Sequence, residues 1–303
     1  MWFKNLAIYR FTEQMNLSAT ELATKLTPAS FRPCGTMELA SYGWTSPLGR
    51  QSDQLVHASN GYFMICAKKE EKILPPAVVN ELAGEKIVEE EQKQGRKLRK
   101  KERDSIKDEI IHDLLPKAFS FSRRTYAYID PKGGWFIVDS PTPKKAEELL
   151  SYLRKTLGSL PLVPFSTQQS SESIMTQWLK SHQLPNDFTL EDECDLRSQQ
   201  DEGSIIRCKR HDLTSPEITR HLDAGKQVIK LAVTWADRLS FVLDENRHIK
   251  RLKFLDLVQE AREDIESDDA VGQFDADFSI MTLEINGLLS RLVEILGGLP
   301  ENQ

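Results

Sequence analysis

The sequence predicts an α+β fold, with mixed or antiparallel sheets, flanking helices and a protruding helical arm. Three observations lead there. Strand-like and helix-like runs do not alternate regularly enough for a doubly wound parallel sheet. Two strand-like runs, 124–130 and 135–139, flank the turn Pro131-Lys132-Gly133-Gly134 as a β-hairpin. A helical stretch at 76–115, polar on all sides in its middle, interrupts the first half, and a helix of that kind faces solvent or projects from the body.

In chain order, Trp2–Phe11 is aromatic and aliphatic and suits a strand. Ser18 and Glu21 form a capping box for a helix to about Leu26. A Pro/Gly-rich passage then leads to a buried-strand pattern at Tyr62–Ala67, ended by Lys68 to Lys72. Pro75-Pro76 starts the arm, with Val78, Val79, Leu82, Ile87 and Val88 as its apolar stripe, Gly95 as its bend and Pro116 as its stop. After the hairpin, Ala146, Leu149, Leu150, Leu153 and Leu157 line one face of a helix at 143–157 that Gly158 ends. A Ser/Gln-rich boundary follows near 165–172. Beyond it come a helix at 174–180, an acidic stretch at 191–202 and a strand at 203–209. Ser215-Pro216 starts a helix, strands lie at 228–235, 239–243 and 249–254, and mostly helical sequence ends the chain. This divides the chain into an N-terminal α+β domain (1–75 with 117–165), an inserted basic arm (76–116) and a C-terminal α+β domain (166–303) ending in an acidic helical segment.

At 39% hydrophobic and 28% charged residues, the chain has enough apolar side chain for a packed core and too much to be disordered. No run approaches the roughly 18 apolar residues that cross a bilayer, and Met1–Leu6 lacks the apolar core of a secretory leader, so the expected compartment is the cytoplasm. Cys34, Cys66, Cys194 and Cys208 lie far apart with no His at ligand spacing; they are expected as free thiols, with no metal site and no cofactor.

The net charge of −6 is unevenly spread. Residues 255–303 contribute −10 and the preceding 254 residues +4, so the acidity belongs to the C-terminal segment and leaves the rest free to approach a polyanion. From Lys93 to Lys107 eight bases (Lys93, Arg96, Lys97, Arg99, Lys100, Lys101, Arg103 and Lys107) face only Glu102 and Asp104. On one continuous helix, Lys93, Arg96, Lys100, Arg103 and Lys107 would share a face, a stripe that matches a phosphate backbone. Lys68-Lys69, Arg123-Arg124, Arg207 with Lys209-Arg210-His211, and Lys250-Arg251 with Lys253 are smaller basic groups at strand ends or turns. No zinc finger, recognition helix or aromatic RNA-binding signature accompanies them, so phosphate contacts are expected to dominate over base readout. The sequence also lacks a phosphate-binding P-loop and a dinucleotide-binding glycine motif, and its six histidines are scattered.

The chain resembles the RdgC family along essentially its whole length. The resemblance is carried by Trp2-Phe3-Lys4-Asn5-Leu6, Phe31-Arg32-Pro33-Cys34-Gly35, Ile65-Cys66-Ala67-Lys68-Lys69-Glu70-Glu71-Lys72-Ile73-Leu74-Pro75, Leu114-Leu115-Pro116-Lys117-Ala118-Phe119-Ser120, Leu157-Gly158-Ser159-Leu160-Pro161, Asp212-Leu213-Thr214-Ser215 and Phe274-Asp275-Ala276-Asp277-Phe278. It implies a nucleoid-associated homodimer, not an enzyme, that closes into a ring around double- or single-stranded DNA without sequence preference and restrains RecA-promoted strand exchange. Arg123, Arg124, Lys209 and Arg210 join the arm's bases as expected DNA contacts. Phe119, Phe121 and His211 are candidates for the dimer interface, although the core is the ordinary place for Phe119 and Phe121 and the first expectation for both. At Arg210 and His211 the chain departs from the Lys and Gln frequent in the family. Two other function classes stand beside this one. The first is a Mg²⁺-dependent nuclease using clustered carboxylates such as Glu266 and Asp268. The second is a protein-interaction module whose acidic C-terminal segment meets a basic partner.

Overall fold

A computed structural model describes residues 1–199, 203–263 and 269–300. Among these residues the strands are β1 (Leu6–Phe11), β2 (Ala40–Thr45), β3 (Val56–Ser59), β4 (Tyr62–Lys72), β5 (Ser120–Asp130), β6 (Trp135–Asp139), β7 (Leu162–Pro164), β8 (Phe188–Arg197), β9 (Ile205–Lys209), β10 (Gln227–Trp235), β11 (Leu239–Asp244) and β12 (Ile249–Phe254). The helices are α1 (Ala19–Leu26), α2 (Pro76–Gln94), α3 (Lys100–Leu114), α4 (Pro143–Leu157), α5 (Ser171–Ser181), α6 (Pro216–Asp223), α7 (Asp256–Glu263) and α8 (Ala270–Ile295). The α+β class is as expected, but the strands join in one sheet, with every paired strand antiparallel. Its order is β2-β4-β5-β6-β1-β12-β11-β10-β8-β9, with β3 also on β4 and β7 on β1. Leu6 opposite Ile249, with the Leu252 N–H donating to the Lys4 carbonyl, joins the two halves of the chain.

Side-chain alternation along β1 sorts the core into two layers. Leu6 and Ile8 face a large cluster with Met175 and Trp178 of α5, Leu222 of α6, Val258 of α7 and Phe278, Met281, Ile285, Leu288, Leu289 and Leu292 of α8. Ala7, Tyr9 and Phe11 face the opposite cluster, built with Leu22 and Leu26 of α1 and Ala146, Leu149, Leu150 and Leu153 of α4. The first half of the sheet therefore has helices on both faces. On the second half no described helix covers the other face, and Glu191, Glu193, Ala232, Val242, Arg251 and Lys253 line an open depression there. The long helix α8 crosses between halves. Phe278 stacks edge-on against Tyr128, Asp275 meets His57 at 3.0 Å, and Asn286 donates to the Tyr62 hydroxyl.

Several local expectations hold. Ser18 and Glu21 close the α1 capping box, Gly95 ends α2 at φ +63°, and Gly158 ends α4 at φ +83°. Others need correction. The acidic stretch 191–202 begins as strand: Cys194 and Leu196 are buried, while Glu191, Glu193 and Asp195 alternate on the other face beside Lys and Arg. Strands β2 and β3 were hidden in the Pro/Gly-rich passage, where Trp44 and Val56 are the buried large apolar side chains of the two strands. The apolar stripe of α2 runs through Val79, Ala83 and Ile87, while Val78 and Val88 are exposed. Strands β4 and β5 extend well past their apolar parts, because each supplies the other's ladder of hydrogen bonds from Phe63–Ile129 to Lys72–Ser120.

Candidate functional site

The basic segment is a two-helix hairpin mounted on the β4–β5 ribbon. Beyond the last rung, the Ile73 N–H donates to the Phe119 carbonyl, so both chain ends of the hairpin leave one place. Ala83 of α2, Leu98 of the turn and Ile106 of α3 are buried together, backed by Ile87 and Ile110. This small cluster is separate from the two main ones and fixes α2 against α3. Left-handed Gly95 reverses the chain between them, a conformation that glycine adopts without a side-chain clash.

That reversal breaks the expected common face of Lys93, Arg96, Lys100, Arg103 and Lys107. Lys93 lies on α2, Arg96 lies in the turn, and only Lys100, Arg103 and Lys107 share α3. The helix ends before the stripe is complete, so the 3-4 spacing no longer describes a single surface. Three of the eight bases are also matched locally. Lys93 meets Glu90 at 2.9 Å, Arg96 meets Glu102 at 2.6 Å and Arg103 meets Glu91 at 3.0 Å. The hydrogen bonds from Arg96 and from the Arg99 N–H hold the Glu102 carboxyl down at about 2, which keeps it charged opposite Arg96. Lys97, Arg99, Lys100, Lys101 and Lys107 have no ion pair with a described residue, and the first four are exposed.

The ribbon that supports the hairpin carries bases of its own. Lys68 stands opposite Arg124 and Lys69 opposite Arg123, so two successive rungs set base against base. Like charges directly across a ladder are destabilising. Glu71 and Glu148 neutralise Lys69, at 3.0 and 2.8 Å. Lys68 instead sits 4.1 Å from the Phe31 ring centre, and the Arg123 guanidinium lies 5.1 Å from that of Phe121. Aromatic faces stabilise these cations without cancelling their charge. Neither Arg123 nor Arg124 has an acidic partner among the described residues, and both are exposed.

Phe119 and Phe121 do not enter the core: they are 84% and 50% exposed at the end of the ribbon, next to Ile73 at 49%. Lys209 and Arg210 are exposed at the other end of the sheet, where Arg210 adopts φ +52° after β9. Half-buried His211 follows, and its N–H donates to the Asp192 carbonyl. These three residues are therefore not brought to the ribbon. The remaining basic groups are mostly neutralised. Lys250 meets Asp244 at 2.9 Å, Arg251 meets Glu193 at 2.8 Å and Arg207 lies 3.9 Å from Asp195. Sequence reasoning named most of these bases but missed which were paired, since Asp244, Glu193 and Asp195 lie on other strands of the sheet and are brought beside them by strand register.

Catalytic arrangements are sparse. Ser215 Oγ lies 3.2 Å and Glu217 Oε2 3.5 Å from His211, but both approach Nε2. A Ser-His-acid relay needs the carboxylate on the other ring nitrogen. Among the described residues no group of three or more His, Cys, Asp or Glu gathers as a metal ion would require. Glu266 and Asp268 lie outside the described residues. No described helix is long and apolar enough to cross a membrane.

Fold and site together define an α+β protein built on one antiparallel sheet, with a helical hairpin whose stretch 93–107 carries eight bases against two acids, and with a supporting ribbon that sets base against base on two rungs. Comparison with known proteins narrows this. The family model described as "Putative exonuclease, RdgC" matches residues 1–299. The Recombination-associated protein RdgC of Tolumonas auensis is 49% identical over 298 residues, covering 98% of this chain and 99% of that protein. Its counterpart in Yersinia enterocolitica is 46% identical over 298 residues, 98% of each chain. The chain belongs to the RdgC family.

Proposed function

We propose that this protein is a non-enzymatic, sequence-independent DNA-binding protein of the nucleoid that acts as a ring-shaped homodimer and restrains RecA-promoted recombination. One observation carries the reading: unmatched bases crowd the turn of the hairpin, and the ribbon that supports it sets base against base on two successive rungs. Among the described residues acids answer only Lys69 on these rungs, so Lys68, Arg123 and Arg124 keep their charge unmatched, and a bound polyanion would relieve their repulsion. Positive charge set on backbone-regular elements meets phosphates at any sequence, and the displaced counterions drive the association. In this reading the hairpin is a protruding arm, double- and single-stranded DNA are both partners, and RecA is limited because its DNA is occupied. The relatives' printed name supports a place in recombination.

Affinity for unrelated duplexes should agree closely at one salt concentration. It should fall with a log–log salt slope of about 0.9 per phosphate contacted; a flat salt response overturns the proposal. Phe119, Phe121 and Ile73 supply an exposed apolar patch for a second copy, with His211 as a further contact. Phe119→Ser should shift the mass in solution toward monomer and weaken DNA binding. An unchanged dimer with unchanged affinity removes Phe119 from the interface.

The family model's description favours a second reading, an exonuclease. End-labelled duplex incubated with Mg²⁺ separates the two: the binding reading predicts intact label. Degradation that is lost in Glu266→Gln or Asp268→Asn would establish the enzyme instead.

A further inference from the structure

Of the four cysteines, two face each other across a ladder. Cys194 of β8 and Cys208 of β9 are direct register partners, and both side chains turn to the face packed by α5 and α8. Paired residues on antiparallel strands have Cα atoms about 4.5–5.5 Å apart, inside the range of about 4.4–6.8 Å that a disulfide spans. Cys66 faces Tyr126 across its own ladder, and Cys34 lies in a loop where its Sγ contacts the Glu70 carbonyl, so neither has a thiol opposite. The pair also sits where a cross-link has a consequence. β9 is the last strand of the sheet and is held by β8 alone. Its outward side chains, Ile205, Arg207 and Lys209, are exposed.

We propose that Cys194 and Cys208 form a reversible oxidation site, closing to an intrachain disulfide when the protein meets a low-molecular-weight disulfide. Cys208 is half-buried on the edge strand, whereas Cys194 has no exposed surface, so the oxidant reaches Cys208 first. Its thiolate attacks one sulfur of the small disulfide and releases one thiol, leaving a mixed disulfide on Cys208. Cys194 then attacks the Cys208 sulfur, gives up its proton and expels the second thiol. Two protein thiols become one disulfide, and one small disulfide becomes two thiols, so electrons and protons balance. Burial, reinforced by the neighbouring Cys208, pushes the Cys194 thiol up, which suits it to the resolving step and not to the first attack. The closed bond ties the edge strand to β8. This inference does not rest on the DNA-binding reading.

The test uses the full chain, reduced, freed of reductant and exposed to oxidised glutathione. Remaining thiols are alkylated in denaturant and peptides are mapped by mass. The expected result is one linked pair of peptides containing Cys194 and Cys208, loss of two alkylatable thiols per chain, and full recovery with dithiothreitol. Cys194→Ser should stop the reaction at a stable glutathione adduct on Cys208. Wild-type protein that accumulates this adduct with Cys194 still alkylatable, that links Cys208 between two chains, or that reacts at neither cysteine overturns the proposal. The wild-type map decides the matter even if a variant fails to fold.

Discussion

Asp244 closes β11 with its carboxylate almost fully enclosed, and Lys250 Nζ reaches it at 2.9 Å and the His248 ring Nδ1 at 3.5 Å. The N–H groups of Asn246 and His248 also donate to it, each at 2.9 Å. Burial alone would raise its pKa; the hydrogen bonds from His248 and Lys250 outweigh burial and bring it down to about 2. A carboxylate held below its unfolded value stabilises the fold above pH of about 4 and loses that contribution as pH falls toward about 2, which amounts to roughly 2 kcal/mol. Urea midpoints measured between those pH values should drop less steeply for Asp244→Asn than for the wild type. Equal slopes would mean that other carboxylates account for the acid loss. At the same scale, the sequence named Lys250, Arg251 and Arg207 as outward bases without showing that Asp244, Glu193 and Asp195 answer them. Those acids stand 6, 58 and 12 positions away along the chain.

The α2–α3 hairpin shows how one residue redirects an element. Its polarity, its proline limits and its glycine bend were legible because each is a local rule of helix chemistry. The charge stripe was not, because spacing places residues on one face only while the helix continues, and Gly95 ends it. What survives is a division between matched and unmatched bases. Lys100→Ala and Lys107→Ala should each weaken duplex binding to all sequences alike and lower the salt slope by about 1. Lys93→Ala, whose ammonium already meets Glu90, should change the slope less. Fluorescence anisotropy at several salt concentrations checks this, and a larger effect at Lys93 than at Lys100 would refute the division.

Over the whole molecule, the single sheet and α8 make one mechanical unit of two sequence-distant halves. Phe278 is 1% exposed and joins the Tyr128 side of the first half to the cluster under β10 and β11. Phe278→Ala should cost about 3–5 kcal/mol through the cavity it leaves. Because both halves share that cluster, unfolding followed by far-ultraviolet dichroism and by tryptophan fluorescence should remain one coincident transition at lower denaturant. Two separated transitions would show that the halves fold independently.

The sequence by itself determined the α+β class, the caps at Ser18 and Gly158, the hairpin with its glycine bend, and the apolar face of α8 from Met281 to Leu296. All of these follow from interactions within a few residues along the chain. The tertiary structure alone decided that the strands form one sheet, that Phe119 and Phe121 stay outside the core, which bases keep their charge unmatched, and that Cys194 faces Cys208. Each of these depends on strand register, which sets residues tens or hundreds of positions apart against one another. A pattern of types along a chain carries the period of an element but not the identity of its neighbour.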